Sequence, residues 1–224
     1  MTEFSPRLDI LPPPQRRLWD EIGATPSQFT LYGGTAIALQ LGHRQSVDFD
    51  FFGTEDFDPR ELFESVPYLK GGTVVQSAPS TLSVWVDRGG DAKASFFGVP
   101  ELGEVGSPGT PRGVMLKVAS LLDLAGLKTV VVQSRAEAKD FIDLDALISS
   151  GIALPLALAA AKIIRGPSYN PQVSLKALSY FEDGNLKSLD PSLTKRLKRA
   201  VSGVDLEALP TLRHNRLYGE RMKS

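Results

Sequence analysis

The stretch from Phe29 to Phe52, FTLYGGTAIALQLGHRQSVDFDFF, constrains the fold more than any other part of the chain. It predicts an apolar strand, a glycine turn, a short helix and a second strand that carries Asp48 and Asp50. Because side chains on a strand alternate between faces, the two carboxylates share one face, roughly 6 to 7 Å apart along the backbone. Two oxygen donors on one face suit a divalent cation such as Mg²⁺, which completes its shell with water and substrate phosphate.

The glycine turn adds a feature suited to anions. Gly33, Gly34 and Thr35 follow the first strand and open the apolar helix from Ala36 to Leu41. Glycines allow the backbone to approach a ligand closely, and a helix N-terminus offers unpaired N–H groups to an anion. An anion-binding turn and a metal-binding carboxylate pair, joined by one short helix, are the two halves of a nucleoside triphosphate site.

Each half also has a simpler explanation. A Gly-Gly pair between a strand and a helix is commonly just a turn, and an isolated D-x-D is commonly a solvated strand face. The alternation around the carboxylates favours the functional interpretation, because Val47, Phe49 and Phe51 are predicted to form the opposite, buried face.

The segment resembles motif I of the DNA polymerase β-like nucleotidyltransferases, in which Gly-Ser is followed, after a gap, by Asp-x-Asp. Here Gly34-Thr35 precedes Asp48-Phe49-Asp50, and Thr supplies the hydroxyl that Ser supplies in the motif. An added GHRxS element is more narrowly similar to the AbiEii/AbiGii toxin family, which includes the MenT-type nucleotidyltransferases. That element consists of Gly42, His43, Arg44 and Ser46.

A second group of charged residues lies in the segment DLAGLKTVVVQSRAEAKDFIDL, which is predicted to form a helical hairpin. Its simplest explanation is a solvated helix face with charge pairs three residues apart. The toxin family, however, has a segment of the form D-L-x-x-x-K, then R, then R/K-D-x-x-D-L. The residues that match it in order are Asp123, Leu124, Lys128, Arg135, Lys139, Asp140, Asp143 and Leu144. The resemblance implies that Lys128 binds substrate phosphates and that Asp140 supports it.

One position departs from the wider superfamily, whose members often carry a third metal-binding carboxylate on a later strand. The corresponding strand here is predicted to place Ser95 at that position, and Asp91 lies near the hairpin end. This departure favours one metal ion held by Asp48 and Asp50 over a full two-metal site.

The remaining pattern predicts an α/β (α+β) fold, with a mixed sheet in a polymerase β-like core and a helical C-terminal region. The Gly- and Pro-rich segment from Glu101 to Arg112 divides residues 1–112 from residues 113–224, and we expect the C-terminal region to complete the active-site cleft. Three strands are predicted at Thr73–Gln76, Thr81–Asp87 and Ala92–Phe97, and two helices at Ser120–Val132 and Ala136–Ser149. Trp19 and Trp85 occupy periodic apolar positions and are predicted to be core residues.

Composition and the absence of long apolar segments predict a cytoplasmic location. The chain has 224 residues, a net charge of −1 and no cysteine, which fits a reducing cytoplasm. Its N-terminus, MTEFSPRLDILPPP, has no apolar signal core, and no apolar stretch is long enough to span a membrane. Positive charge is concentrated after residue 186. It comes from Lys187, Lys195, Arg196, Lys198, Arg199, Arg213, Arg216, Arg221 and Lys223.

Together these features predict transfer of NMP from an NTP to a hydroxyl, with release of pyrophosphate. Asp48 and Asp50 are expected to hold Mg²⁺ or Mn²⁺, with Lys128 and Asp140 as further catalytic residues. NTP binding is assigned to Gly33, Gly34, Thr35, Arg44 and Ser46. The family resemblance implies a toxin of a toxin–antitoxin system, with tRNA as acceptor and a cognate antitoxin as partner. Two alternatives remain: a transferase that acts on a small molecule or protein, and a catalytically weak nucleotide-binding interaction protein.

Overall fold

The computed structural model describes residues 2–215, and the chain divides into two compact units. The first unit contains residues 1–100 and 107–119, and the second contains residues 101–106 and 120–224. The Gly- and Pro-rich segment therefore contributes residues to both units.

The first unit is built on a mixed sheet. Its strands are β1 (Glu3–Phe4), β2 (Thr30–Tyr32), β3 (Asp48–Gly53), β4 (Thr73–Ala78), β5 (Thr81–Asp87), β6 (Asp91–Gly98), β7 (Thr110–Pro111) and β8 (Lys117–Val118). Six of them form one sheet in the order β4-β5-β6-β3-β2-β8, and β1 pairs with β7 in a small separate sheet. In the six-stranded sheet β3 is parallel to β6 and β2 is parallel to β8, whereas the other pairs are antiparallel. The predicted mixed sheet and its three later strands are confirmed.

Three α-helices accompany this sheet, α1 (Pro13–Trp19), α2 (Gly33–Leu41) and α3 (Pro59–Ser65). Alternation along β3 buries Phe49 and Phe51 completely, as predicted for the apolar face. The prediction that Val47 is buried is wrong, because Val47 is 48% exposed. Val47 precedes the first paired residue of β3, so the alternation of the strand does not extend to it.

The two tryptophans differ. Trp19 is 2% exposed and belongs to the core, as predicted, but Trp85 is 38% exposed and the prediction for it is wrong. Its neighbours on β5, Val84 and Val86, take the buried face of the sheet. Strict alternation therefore places Trp85 on the other face.

The second unit is helical. Its α-helices are α4 (Leu121–Val131), α5 (Ala138–Ser149), α6 (Leu154–Arg165), α7 (Pro171–Ala177) and α8 (Pro191–Ser202). Helix α4 begins as predicted, because Ser120 is the N-cap and its Oγ accepts a hydrogen bond from the Asp123 backbone N–H at 3.1 Å. Phe141, Leu144, Leu158 and Leu178 are among the buried residues of a single apolar cluster.

No single helix among residues 2–215 is long and apolar enough to cross a bilayer, although the bent pair Ala138–Ser149 and Leu154–Ser168 meets both criteria when the two are joined.

Candidate active site

The carboxylates of β3 occupy the face of the sheet opposite its apolar core. Asp48 and Asp50 are both partly exposed, and Phe49 between them is fully buried. On one side Asp50 pairs with Tyr32 of β2, and on the other side it pairs with Ser95 of β6. The structure thus brings the two predicted metal ligands together on an accessible strand face.

The glycine turn lies close to the Asp50 carboxylate. Gly33 is the first residue of α2 and has a φ of +74°, and a Cβ added to it would lie 2.8 Å from Oδ2 of Asp50. At Gly34 an added Cβ would overlap the guanidinium of Arg44. A side chain at either glycine would displace the Asp50 carboxylate or the Arg44 guanidinium, and the positive φ of Gly33 also favours glycine, so the turn presents bare backbone between these two groups.

The predicted hydroxyl residues hold this turn to the strand. Thr35 is 1% exposed, its Oγ1 lies 2.8 Å from Oγ of Ser46, and it also donates to the backbone oxygen of Asp48. Ser46 is itself buried. These contacts fix the first turn of α2 against the start of β3, which sets the position of Asp48 relative to the glycines.

The third carboxylate is replaced by other groups in this sheet. Ser95 lies beside Asp50, as predicted, and Lys93 lies beside Asp48, whereas Asp91 pairs with Asp87 at the far end of β6. Residues 2–215 contain no group of three or more His, Cys, Asp or Glu side chains able to hold a metal ion. The two carboxylates of β3 are a donor set of the kind that suits Mg²⁺, which takes one or two protein carboxylates and fills its shell with water and phosphate. The sequence did not point to Lys93, because its place beside Asp48 depends on the pairing of β3 with β6.

The second predicted group forms an ion-pair cluster in the helical unit. Nζ of Lys128 lies 2.7 Å from Oδ1 of Asp140 and 2.6 Å from Oδ2 of Asp143. Arg135 donates to Asp140 through Nε at 2.7 Å and Nη2 at 3.1 Å. Both aspartates are fully buried, and Lys128 is 6% exposed. Two cations thus balance two carboxylates, and this excludes the simple explanation of a solvated helix face.

Burial alone would raise the pKa of Asp140, but the Arg135 hydrogen bonds and the charge of Lys128 outweigh it and hold that pKa below its usual range. A carboxyl whose folded-state pKa is depressed stabilises the fold above its unfolded pKa of about 3.9 and loses that contribution as pH falls further. In Asp123, by contrast, burial raises the pKa, and its carboxylate accepts backbone N–H bonds from Val105 at 2.7 Å and Gly106 at 2.9 Å. Asp123 therefore anchors residues 101–106 to α4.

We expect Asp140→Asn to lower the free energy of unfolding at neutral pH and to flatten its decline below a pH of about 4. The asparagine has no negative charge and only one acceptor oxygen for Lys128 and Arg135, and it has no carboxyl to protonate. Denaturant unfolding between neutral pH and pH 3 measures both effects. Asp20→Asn is the matched control, because Asp20 forms only an exposed pair with Arg16 and such pairs contribute little. If the free energy of unfolding of Asp140→Asn declines below about pH 4 as steeply as that of the wild type, Asp140 is not the carboxyl whose depressed pKa stabilises the fold.

The basic residues near the C-terminus have unequal surroundings. Arg196 donates to Oδ1 of Asp145 at 2.9 Å and to Oδ2 at 2.5 Å. Nζ of Lys198 lies 5.4 Å from the ring centroid of Phe181. Lys195 and Arg199 are exposed on α8. Arg216, Arg221 and Lys223 lie outside the described residues.

The fold has a counterpart among solved structures. It is similar to that of MenT4, a nucleotidyltransferase toxin from Mycobacterium tuberculosis H37Rv, with a TM-score of 0.54. The match covers 85% of this chain and 81% of that chain at 17% identity. Residues 17–78, which include the glycine turn and both β3 carboxylates, match the family described as nucleotidyl transferase AbiEii toxin, type IV TA system. A protein of Aquifex aeolicus (strain VF5), described as uncharacterized, is 30% identical over 162 residues, or 70% of this chain and 75% of its own length. Residues 17–78 therefore belong to the AbiEii family of nucleotidyltransferase toxins.

The close approach at Gly33 gives a direct test of the turn. We expect Gly33→Ala to reduce nucleotidyl transfer by about tenfold or more, because the new methyl group displaces the Asp50 carboxylate and misplaced groups lose rate steeply. Steady-state transfer rates measure this loss. Gly113→Ala is the matched control: its φ is +81°, and no atom lies within 4 Å of an added Cβ. Both variants should lose about 1 kcal/mol of stability from the positive φ. Equal activity losses would show that backbone strain, rather than contact with Asp50, causes the effect.

Proposed function

We propose that this protein transfers NMP from an NTP to a hydroxyl of tRNA, with Mg²⁺ or Mn²⁺ held by Asp48 and Asp50. The observation that carries the proposal is the close approach of the Asp50 carboxylate to Gly33 and of the Arg44 guanidinium to Gly34, which leaves no space for a Cβ at either glycine. This arrangement combines a metal-binding face with a surface for phosphate in one unit. As a member of a toxin–antitoxin family, the protein is proposed to have a cognate antitoxin.

Each residue has a defined part in this chemistry. When bound, the cation supplies neutralisation of the charge that develops on the phosphoryl oxygens. The N-terminal N–H groups of α2 bind phosphate oxygens, and Arg44 pairs with the same oxygens through its planar guanidinium. Thr35 and Ser46 keep the turn against β3. The geometry thereby holds the triphosphate still while the acceptor hydroxyl attacks its α-phosphorus.

Lys128 has two roles to distinguish. The resemblance assigns it to phosphate binding with Asp140 as support, and we retain that as a proposal. Its ion pairs with Asp140 and Asp143 also give it a structural role in the helical unit. An ammonium carries three N–H donors, and two of them serve these carboxylates.

The experiment that tests the proposal is incubation of the protein with each of four α-labelled NTPs, Mg²⁺ and total RNA. The expected result is label in RNA of tRNA size, removed by ribonuclease and unaffected by protease. Label in protease-sensitive or small material instead would move the acceptor to a protein or small molecule. Absence of label with every NTP would contradict nucleotidyl transfer under these conditions.

Salt dependence tests the tRNA acceptor separately. Replacing Lys195 and Arg199 by Gln is expected to weaken tRNA binding and to flatten its decline with salt, because fewer counterions are released from the RNA. Filter-binding titrations at several salt concentrations measure the slope. The matched control replaces the exposed Lys162 and Lys176 by Gln, which removes the same charge from α6 and α7.

The other two basic residues of α8 require more care. Replacing Arg196 or Lys198 is expected to weaken binding as well, but Arg196→Gln also removes the pair with Asp145. Stability must therefore be measured alongside affinity for that variant. If tRNA affinity falls equally with salt for the α8 variant, its control and the wild type, the basic residues of α8 do not contact RNA and only face solvent.

A further inference from the structure

A lysine and a tryptophan extend the carboxylate face across the sheet. Asp48 on β3 pairs with Lys93 on β6, and Lys93 pairs with Trp85 on β5. Directly paired residues project from the same face, so the three side chains form one row. Because neighbouring strands are about 4.8 Å apart, Lys93 lies about one spacing and Trp85 about two spacings from Asp48.

The surroundings of this row suit a ligand. Trp85 is 38% exposed, and within residues 2–215 Lys93 has no ion pair although its side chain is partly exposed. The adjacent row consists of Ser95 and Ser83, whose hydroxyls lie 3.1 Å apart and whose residues are 1% and 3% exposed. These two serines are buried beside the row, whereas Lys93 and Trp85 keep exposed surface.

The order of the strands places Lys93 and Trp85 on the opposite side of β3 from the glycine turn. The anion-binding turn follows β2 on one side of β3, whereas Lys93 and Trp85 lie on the other side, on β6 and β5. In phosphoryl-type transfer the attacking and leaving oxygens are roughly in line on opposite sides of phosphorus. With the leaving pyrophosphate at the glycine turn, the acceptor approaches from the side of β6 and β5.

We infer that Lys93 and Trp85 form the subsite for the terminal nucleotide of a single-stranded nucleic acid acceptor. The indole stacks on the base and the ammonium pairs with the adjacent phosphate, a combination that binds unpaired nucleotides without reading a duplex. This inference rests on the proposed function and adds to it the residues that recognise the acceptor. Lys93 and Trp85 are positioning residues, and neither takes part in bond making.

The fluorescence of Trp85 can report binding at this subsite directly. The chain has two tryptophans, so Trp19→Phe leaves Trp85 as the sole indole. Titration of that variant with a short single-stranded oligoribonucleotide, without NTP or cation, is expected to quench the fluorescence and protect it from acrylamide. A blunt duplex of equal length should give a weaker change. Trp85→Phe, which retains only the buried Trp19, should show no fluorescence change.

Steady-state kinetics complete the test. Trp85→Ala is expected to raise the KM for acceptor RNA about tenfold with the KM for NTP unchanged, whereas Trp85→Phe retains most of the stacking and the affinity. Lys93→Gln should weaken oligoribonucleotide binding and reduce its salt dependence, and Lys93→Arg should restore both.

The outcomes separate the subsite from the reaction. Quenching of Trp85 by NTP alone, with no response to the oligoribonucleotide, would overturn the inference by placing the NTP base there. No response to either ligand would also overturn it. If the oligoribonucleotide quenches Trp85 but no nucleotide is transferred, the subsite stands and the proposed function fails.

Discussion

Asp48→Asn and Asp50→Asn should each reduce nucleotidyl transfer on the order of 10²-fold or more while the fold remains intact. Each substitution removes a formal charge from a pair of carboxylates on one strand face but preserves the shape of the side chain. It therefore weakens cation binding where charge develops in the reaction. Transfer rates across a Mg²⁺ titration, with circular dichroism for the fold, measure the effect.

The structure offers a matched control for these variants. Asp91 is an exposed carboxylate at the start of β6, paired with Asp87 rather than with either β3 aspartate. Asp91→Asn should therefore leave the rate within about twofold of the wild type, as for most changes at exposed sites. Near wild-type rates for Asp48→Asn or Asp50→Asn in saturating Mg²⁺ would contradict the metal assignment.

Lys128→Ala is expected to have the largest effect on stability. Without the ammonium, Asp143 loses a partner at 2.6 Å and Asp140 retains only Arg135. Removal of one partner from a buried ion pair costs about 3–5 kcal/mol, because a buried charge is left uncompensated. Denaturant unfolding of the full chain measures this loss. Lys117→Ala is the comparison, since Nζ of Lys117 only donates to the backbone oxygen of Ser27.

Activity and stability must be separated in this variant. The family-based role predicts an additional loss in transfer rate on the order of 10²-fold, measured at a temperature where circular dichroism shows the variant folded. Lys128→Arg retains the charge and should recover part of the stability but not the compact geometry of the ammonium. Equal, small losses of rate in Lys128→Ala and Lys117→Ala would leave the lysine with the structural role alone.

The sequence predicted the local framework of the site well, because that framework depends on short-range rules. Alternation along β3 places Asp48 and Asp50 on one face, and the Gly33 turn opens α2 where the helix was expected. These features depend on residues close in the chain. The sequence therefore located the carboxylates and the turn without knowledge of the sheet order.

Features that depend on distant partners could not be predicted in the same way. Alternation identifies two faces of β5 but does not say which face is covered, and for that reason Trp85 was assigned to the core. The helical spacing of Asp140 and Asp143 predicted a shared face but not its burial around Lys128. The pair between Arg196 and Asp145 joins residues 51 positions apart, and no local pattern in either segment indicates it.

The most direct test of the central claim compares two positions of the label in one NTP. Wild-type protein, Mg²⁺ and tRNA are incubated with the NTP labelled at either the α- or the γ-phosphate, and Asp50→Asn provides the inactive control. Nucleotidyl transfer predicts that α-label enters the tRNA, that γ-label appears only in pyrophosphate, and that both signals disappear in the variant. Transfer of γ-label to the acceptor, or equal α-label incorporation by Asp50→Asn, would contradict the account.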